Sequence, residues 1–200
     1  ERRPISTRNV EEATRNLRRE QSFIPGDAIN QDSADGADQR ELFRQSLFDA
    51  DVMRHHDTDG IALGYRYDGS PVIWHDQTAP PTDDVRDYQP TTRPGHRVPH
   101  AWIDKDRSTL DLFGDGFTLM SFGAPAEASE TFLRATKSRV VPLTVIPVSQ
   151  PEIAELYERR LVLVRPDGHV AWRGDDPPED AGAVIDVIRG ERPRTGAARR

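Results

Sequence analysis

The 200-residue chain contains no cysteine. A disulfide framework and a thiol mechanism are therefore both excluded. Long hydrophobic runs are missing as well, because no stretch approaches the roughly 20 apolar residues that a membrane-spanning helix needs, and no signal peptide is visible. The sequence therefore predicts no membrane partner and a cytoplasmic location.

The most recognisable nucleotide-binding and hydrolytic motifs are also absent. No Gly-x-Gly-x-x-Gly follows a strand, so the chain by itself cannot hold a dinucleotide in the usual manner. There is no Walker loop, no His-Glu-x-x-His and no Ser-x-Gly elbow either. We expect no cofactor for this chain alone.

Basic residues are too few to balance the acidic ones. The 27 Lys and Arg residues stand against 34 Asp and Glu residues, which gives a net charge of −7. Such a chain is repelled by nucleic acid and by anionic membranes, so we expect neither as a partner. Only 35% of the residues are hydrophobic, so an appreciable part must be loop, or surface that docks elsewhere. Because the first residue is Glu, we expect a fragment or a processed chain.

The first 75 residues are predicted to hold two helices with little apolar surface. In the first helix, up to about residue 22, Val10, Ala13 and Leu17 recur at helical spacing and form only a thin stripe. A helix with so narrow a stripe is typical of a segment that packs against another part of a larger protein.

The second helix is predicted to begin at Asp38 and to end at about His56. Asp38 and Glu41 have the spacing of a capping box. Apolar residues at helical spacing are expected to point inward: Leu42, Phe43, Leu47 and Ala50. Beyond this helix, residues 61 to 73 are predicted to form a strand or a pair of strands.

Potential metal ligands occur together in His55-His-Asp-Thr-Asp-Gly60. Adjacent histidines point to different sides of a helix, and Asp-x-Asp-Gly lacks the terminal Glu of a calcium loop. The same residues are also typical of a helix end, where a histidine interacts favourably with the helix dipole and a glycine ends the helix. We therefore predict no metal site.

Residues 76–108 are predicted to form an extended linker. Five prolines within it exclude a regular helix: Pro80, Pro81, Pro90, Pro94 and Pro99. The last ten residues, 191–200, are predicted to be a disordered basic tail.

The region 109–190 alternates strand and helix patterns in the order β-α-β-α-β-β-α. It begins with a predicted strand, turn and strand, in which Leu110 and Leu112 alternate before Gly114-Asp-Gly116 and an apolar run follows. Residues 161–173 are predicted to form a hairpin in which Val170 and Trp172 alternate outward. This order predicts an α/β, thioredoxin-like domain. Redox-active members of that fold carry a Cys pair after the first strand, where this chain has Gly123-Ala-Pro125, so we expect the fold without its chemistry.

Four runs of the sequence resemble one enzyme family. These are Leu63-Gly-Tyr-Arg-Tyr67, Arg93-Pro-Gly-His-Arg-Val-Pro-His100, Leu110-Asp-Leu-Phe-Gly-Asp-Gly-Phe117 and Val164-Arg-Pro-Asp-Gly-His-Val-Ala-Trp-Arg173. Together they resemble the C-terminal part of FAD-dependent aromatic hydroxylases of the phenol hydroxylase and polyketide hydroxylase type. The resemblance implies that residues 1–75 are the end of an FAD and substrate domain. It also implies FAD and NAD(P)H as cofactors of the complete enzyme, an N-terminal FAD-binding part as partner, and a phenolic substrate.

The same resemblance indicates two candidate site residues. Arg66, in the Gly-aromatic-Arg-Tyr motif, would lie close to the catalytic pocket, where its permanent charge could stabilise a phenolate or another developing anion. Alternatively, Arg66 pairs with a carboxylate of a neighbouring domain. Arg97, in Gly-x-Arg-x-Pro-His, could bind a phosphate or a carboxylate, or could simply hold the linker in place.

A second function remains open at this point. The chain could be a non-catalytic thioredoxin-like module that serves dimerisation or docking. The sequence leaves a homodimer open in either case.

Overall fold

A computed structural model describes residues 2–22, 25–48 and 57–191. The chain divides into two compact units. The first consists of Glu1–Leu63 with Asp84–Tyr88, and the second of Gly64–Asp83 with Gln89–Arg200. The domain boundaries expected at residues 75 and 108 stay predictions.

Helices make up the first unit. In order they are α1 (Arg2–Ser22), a 3-10 helix (Asp27–Asn30), α2 (Ala34–Phe48) and the short α3 (Asp59–Ala62). Much of the apolar surface of α1 and α2 is open to solvent: Val10 is 65% exposed and Phe48 is 75% exposed. No described helix, in either unit, is long and apolar enough to cross a membrane.

The start of α2 differs from the sequence prediction. The helix begins at Ala34 rather than after Asp38, because Ser33 already supplies the cap by accepting a hydrogen bond from the Gly36 amide at 3.1 Å. Gly36 is required there, since a Cβ would lie 2.3 Å from the backbone oxygen of Gln31. Of the predicted inward side chains, Leu42 and Leu47 are exposed; Ala50 and His56 lie outside the described residues.

The strand predicted for residues 61–73 is wrong. The chain instead forms α3, whose Gly60 and Ile61 amides donate to the backbone oxygens of Arg86 and Val85. After α3, residues 64–73 are irregular except for an isolated bridge between Arg66 and His96. Alternation alone could not distinguish this short bridge from a full strand.

The second unit is built on a four-stranded sheet of β1 (Phe117–Ser121), β2 (Leu143–Pro147), β3 (Leu161–Val164) and β4 (Val170–Gly174). The strand order is β2-β1-β3-β4, with β1 and β2 parallel and the other neighbours antiparallel. Three helices connect the strands or follow them: α4 (Ala126–Lys137), α5 (Pro151–Tyr157) and α6 (Ala181–Ile188). The β-α-β-α-β-β-α order of a thioredoxin-like domain is thereby confirmed.

The two faces of this sheet bury two separate cores. Leu119 points to the face covered by α4 and α6, where Phe132 and Val184 are fully buried. Met120 points to the opposite face, where α5 contributes Ile153. This alternation along β1 is what a central strand covered on both sides requires.

Two further predictions about this region need correction. Leu110 and Leu112 lie in a 3-10 helix (Thr109–Leu112), because the side chains of Ser108 and Asp111 cap the turn reciprocally. Val170 and Trp172 do not face outward; both are buried.

The cover on β4 comes from earlier parts of the chain. The Gly95 amide donates to Val170 O at 2.8 Å, and the Val98 amide donates to Gly168 O at 3.0 Å. From the segment before it, the Trp74 amide donates to Ala171 O at 2.9 Å. The region predicted as a linker is therefore largely irregular, as its prolines require, but it is bonded to the edge of the sheet.

Candidate functional site around Arg66 and Arg97

Arg66 and Arg97 belong to one small ladder of bridges, which is formed by three segments of the second unit. Residues 65–67 lie beside 95–98, which in turn lie beside 168–170, and the bridges are Arg66 with His96 and Arg97 with His169. Because neighbouring residues of an extended segment point to opposite faces, His96 and Arg97 face away from each other. The ladder therefore places Arg66 on one face and Arg97 on the other.

On its face, the Arg66 guanidinium is held by acceptors within this chain. Its Nε donates to Asp68 Oδ2 at 2.5 Å, and an Nη donates to Pro81 O at 3.2 Å. Arg93 holds the other oxygen of the same carboxylate, with Nη1 to Asp68 Oδ1 at 3.1 Å. Two guanidinium groups thus share one carboxylate, which leaves one positive charge in excess. Burial raises the pKa of Asp68, but the hydrogen bonds from Arg66 and Arg93 outweigh it and hold that pKa below its usual value.

His96 completes this face as a buried neutral group. The residue is 4% exposed, and neither ring nitrogen has a hydrogen-bond partner among the described residues. Burial, followed by the charges of Arg66 and Arg93, lowers the pKa of His96 to about 4, against the weaker opposing charge of Asp68. His96 is therefore uncharged at neutral pH.

Aromatic rings surround His169 on the opposite face. The ring centroids of Tyr65 and Tyr67 lie 5.1 and 4.5 Å from that of His169. The Arg165 guanidinium lies over the Tyr67 ring and pairs with Asp167 at 2.9 Å. Arg97 is partly buried, and its side chain makes no hydrogen bond or ion pair within the described parts of the chain.

Sequence reasoning missed a third charged group in the unit, at Arg173 near the end of β4. Its buried guanidinium donates to Asp76 Oδ2 at 2.7 Å and to Glu158 Oε2 at 2.6 Å. It also donates to the hydroxyls of Thr78 and Thr92, each at 3.2 Å. The available signal was a charged residue directly after the apolar Val-Ala-Trp of a strand that is otherwise buried.

The pKa values of the Arg173 partners agree with an ionised cluster. Burial raises the pKa of Asp76 and of Glu158. Hydrogen bonds from neighbouring hydroxyls and from Arg173 more than offset that cost, so both pKa values lie below their usual range. The cluster connects Asp76, Thr78 and Thr92 to β4 and to Glu158 at the end of α5.

No metal or dinucleotide site is formed by the residues that can be described. Within 2–22, 25–48 and 57–191, no group of three His, Cys, Asp or Glu side chains could hold a metal ion; His55 and His56 lie outside these ranges. The βαβ unit of β1, α4 and β2 has Phe122-Gly-Ala-Pro125 in its first turn. This turn lacks the glycines that let a backbone approach a pyrophosphate, so these residues do not fit FAD.

A cleft of about 320 Å³ lies elsewhere in the second unit. It is lined by residues of the 103–112 and 146–150 segments, among them Ile103, Arg107 and Ile146. Neither Arg66 nor Arg97 lines it.

Comparison with known proteins gives matches over most of the chain. Residues 91–190 match the family model described as aromatic-ring hydroxylase, C-terminal. The FAD-dependent monooxygenase apdD of Emericella nidulans is 37% identical over 140 residues, which cover 66% of this chain and 22% of that protein. The tetracenomycin B2 monooxygenase-dioxygenase of Streptomyces olivaceus is 34% identical over 172 residues, covering 80% of this chain and 31% of that protein.

A solved structure extends the match to nearly all residues. The rebeccamycin biosynthetic enzyme RebC, with reduced flavin, is 40% identical and superposes with a TM-score of 0.83. The superposition covers 96% of this chain and 35% of RebC. The chain thus spans between 22% and 35% of the length of these three relatives.

Proposed function

The chain belongs to the family of aromatic-ring hydroxylase C-terminal regions, and from this we propose that it is the C-terminal part of an FAD-dependent monooxygenase that uses NAD(P)H. The enzyme would hydroxylate a phenolic or polyketide aromatic ring. The observation that carries the proposal is that 96% of this chain superposes on about a third of a flavin-containing relative. In such an enzyme FAD supplies the reducing electrons and activates oxygen.

The partner we propose is an FAD-binding part that precedes this chain in the complete enzyme. Since the described residues offer no dinucleotide cradle, the chain alone would be inactive. The first unit supports this partner, because the apolar side chains of Leu17 in α1 and Leu42 in α2 are 53% and 66% exposed. The cytoplasmic location and the homodimer stay predictions.

We propose that Arg66 lies close to the catalytic pocket of the complete enzyme. Its guanidinium is mostly buried, cannot lose its charge, and together with Arg93 outweighs the single carboxylate of Asp68. Such an excess of positive charge would stabilise an anion that develops during the reaction. The structural alternative also has support, because two of the Arg66 nitrogens already donate to acceptors in this chain.

Substitution of Arg66 by Lys separates these two roles. In the complete enzyme, Arg66→Lys keeps the charge but loses the paired planar donors, so we expect turnover to fall on the order of a hundredfold with flavin retention unchanged. A purely structural Arg66 would instead lower the melting temperature and leave turnover per folded enzyme near normal.

The function itself is tested by joining the chain to the FAD-binding part encoded upstream of it. We expect the joined protein to purify yellow, with the absorption bands of oxidised flavin, and to oxidise NAD(P)H in the presence of a phenolic substrate. The chain expressed alone serves as the colourless control. A joined protein that folds but neither retains flavin nor oxidises NAD(P)H would favour the non-catalytic docking module.

A further inference from the structure

Arg97 combines two properties that its neighbours do not share. It is partly buried, yet within the described ranges its guanidinium has no acceptor, whereas Arg66, Arg93 and Arg173 each bind a carboxylate. The Arg97 nitrogens are not among the buried atoms without a partner, so the stem of the side chain is covered while its charged head reaches solvent. The head is therefore available to an acceptor from outside this chain.

The ladder fixes what lies next to Arg97. The Val170 amide donates to His96 O and the Val98 amide donates to Gly168 O. These two bonds flank the Arg97 and His169 pair, so this is the non-hydrogen-bonded type of antiparallel pair, in which facing side chains are closest. Arg97 and His169 therefore project side by side on one face.

His169 carries the second independent observation. The residue is 1% exposed, and its Nε2 has no hydrogen-bond partner among the described residues. Its Nδ1 lies 3.2 Å from the backbone oxygen of Asp167. A carbonyl oxygen can only accept, so Nδ1 bears the proton and Nε2 presents a free lone pair in the neutral ring. A buried ring nitrogen without a partner calls for a ligand or a proton.

We propose that Arg97 and His169 together bind a carboxylate group. The carboxylate accepts a hydrogen bond from the Arg97 guanidinium, and His169 takes up one proton from solvent at Nε2 and donates it to the second oxygen as a hydrogen bond. Arg165 and Asp167 pair with each other, and Asp167 Oδ1 also lies 3.4 Å from His169 Nδ1. Arg97 and the protonated His169 then supply the positive charge that faces the carboxylate.

The neighbouring rings define a suitable probe. Tyr67 is buried between His169 and Arg165, but Tyr65 on the same face is only partly buried and offers apolar contact to a flat ligand. Benzoate carries both the carboxylate and a ring, and benzamide has nearly the same shape without the charge. Inorganic phosphate tests whether any anion is accepted.

The experiment is an NMR titration of this chain that follows the His169 ring nitrogens. Benzoate should produce a saturable shift at Nε2, and should bind about tenfold more weakly in Arg97→Gln. Benzamide should produce none. Arg97→Lys keeps the charge but loses the planar paired donors of the guanidinium, so its affinity for benzoate should lie between those of the wild type and Arg97→Gln. The matched control is Arg107→Gln, since Arg107 is an exposed arginine of the same unit, and it should bind benzoate like the wild type.

Proton uptake provides a readout that non-specific anion binding does not share. Calorimetry in buffers of different ionisation enthalpy should show net proton uptake with benzoate, and binding should be tighter at pH 6 than at pH 8. Circular dichroism checks that each variant is folded; Arg97 is partly exposed, so its substitution should not unfold the unit. The proposal is overturned if benzoate binds equally well to folded Arg97→Gln, if binding takes up no proton, or if phosphate saturates the site and benzoate does not.

Discussion

The two units of this chain bury their apolar residues to very different extents. In the second unit Phe132, Leu163 and Val184 are completely buried between the sheet and its helices. In the first unit Val10 and Leu42 are about two thirds exposed, although they occupy helices that are longer than any in the second unit. Helix length therefore says little about where stability resides, since packing of an apolar face contributes most of it.

The difference separates a unit with closed cores from one whose helices leave apolar side chains exposed. The second unit has two cores, one on each face of its sheet, and its edge strand β4 is covered by the chain that precedes the sheet. The first unit leaves Leu17 and Phe48 in water. In the complete enzyme we expect the stability of the first unit to depend on the FAD-binding part and that of the second to be its own.

The largest effect should come from cutting the chain inside the second unit. A fragment of residues 64–190 should fold cooperatively, whereas 109–190 should lose the buried side chains of Tyr67, Ile73 and Val98 and expose β4. At about 1.5 to 3 kcal/mol for each buried side chain, the shorter fragment should be less stable by more than about 4 kcal/mol. Urea unfolding of both fragments measures this, and equal midpoints would show that the cover on β4 is dispensable.

A pair of truncated side chains sharpens the comparison of the units. Phe132→Ala empties part of a closed core and should lower the free energy of unfolding by about 3 to 5 kcal/mol. Leu17→Ala removes a side chain that is already half in water and should change it by less than about 0.5 kcal/mol. Both are read from urea unfolding of the intact chain. A large loss for Leu17→Ala would mean that the first unit buries α1 in solution.

Sequence patterns predicted the central strands of the sheet well and the start of α2 poorly, for a physical reason. The runs around Leu119 and Leu163 carry apolar residues on both faces, which is typical of a strand covered on both sides. The start of α2 depended on whether Ser33 or Asp38 caps the helix. In the structure Ser33 is the cap, because its hydroxyl accepts the hydrogen bond of the Gly36 amide. Such local competitions differ by about 1 kcal/mol, which pattern counting cannot resolve.

The candidate site was predictable only as single residues. Arg66 and Arg97 could be selected from motifs, but the partners that define their surroundings lie far along the chain: His169 is 72 positions from Arg97. The Arg173 cluster likewise joins β4 to Asp76 across 97 positions. Their proximity depends on how 93–98 pairs with β4, and no local periodicity encodes that pairing.

The dependence of stability on pH tests the Arg66 face of the ladder. The pKa of His96 is about 4 in the folded chain, below its value of 6.5 in a model peptide. A histidine with a lowered folded pKa binds its proton more tightly when unfolded, so stability is full above about pH 6.5 and falls as the pH drops toward 4. The free energy of unfolding should be about 2 kcal/mol lower at pH 5 than at pH 7.5.

His96→Leu provides the control for this prediction. Both ring nitrogens lack partners among the described residues, so an apolar side chain leaves no new orphaned group. The variant should lose most of the decrease between pH 7.5 and pH 5. If the variant and the parent chain show the same decrease, another group is responsible.

The smallest effect should be a gain in stability at the end of α4. Val140 has a φ of 55° and is 92% exposed, at the point where the Val141 amide closes the helix end on Thr136 O. A β-branched residue in the left-handed region is strained, and glycine is the residue usually found at such helix ends. Val140→Gly should therefore raise the free energy of unfolding of the second unit by about 1 kcal/mol, whereas Val140→Ala, which keeps a Cβ, should gain less. The measurement is the urea unfolding midpoint of the two variants and of the parent chain, which should be highest for Val140→Gly. A loss of stability in Val140→Gly would mean that this exposed side chain makes a stabilising contact in solution.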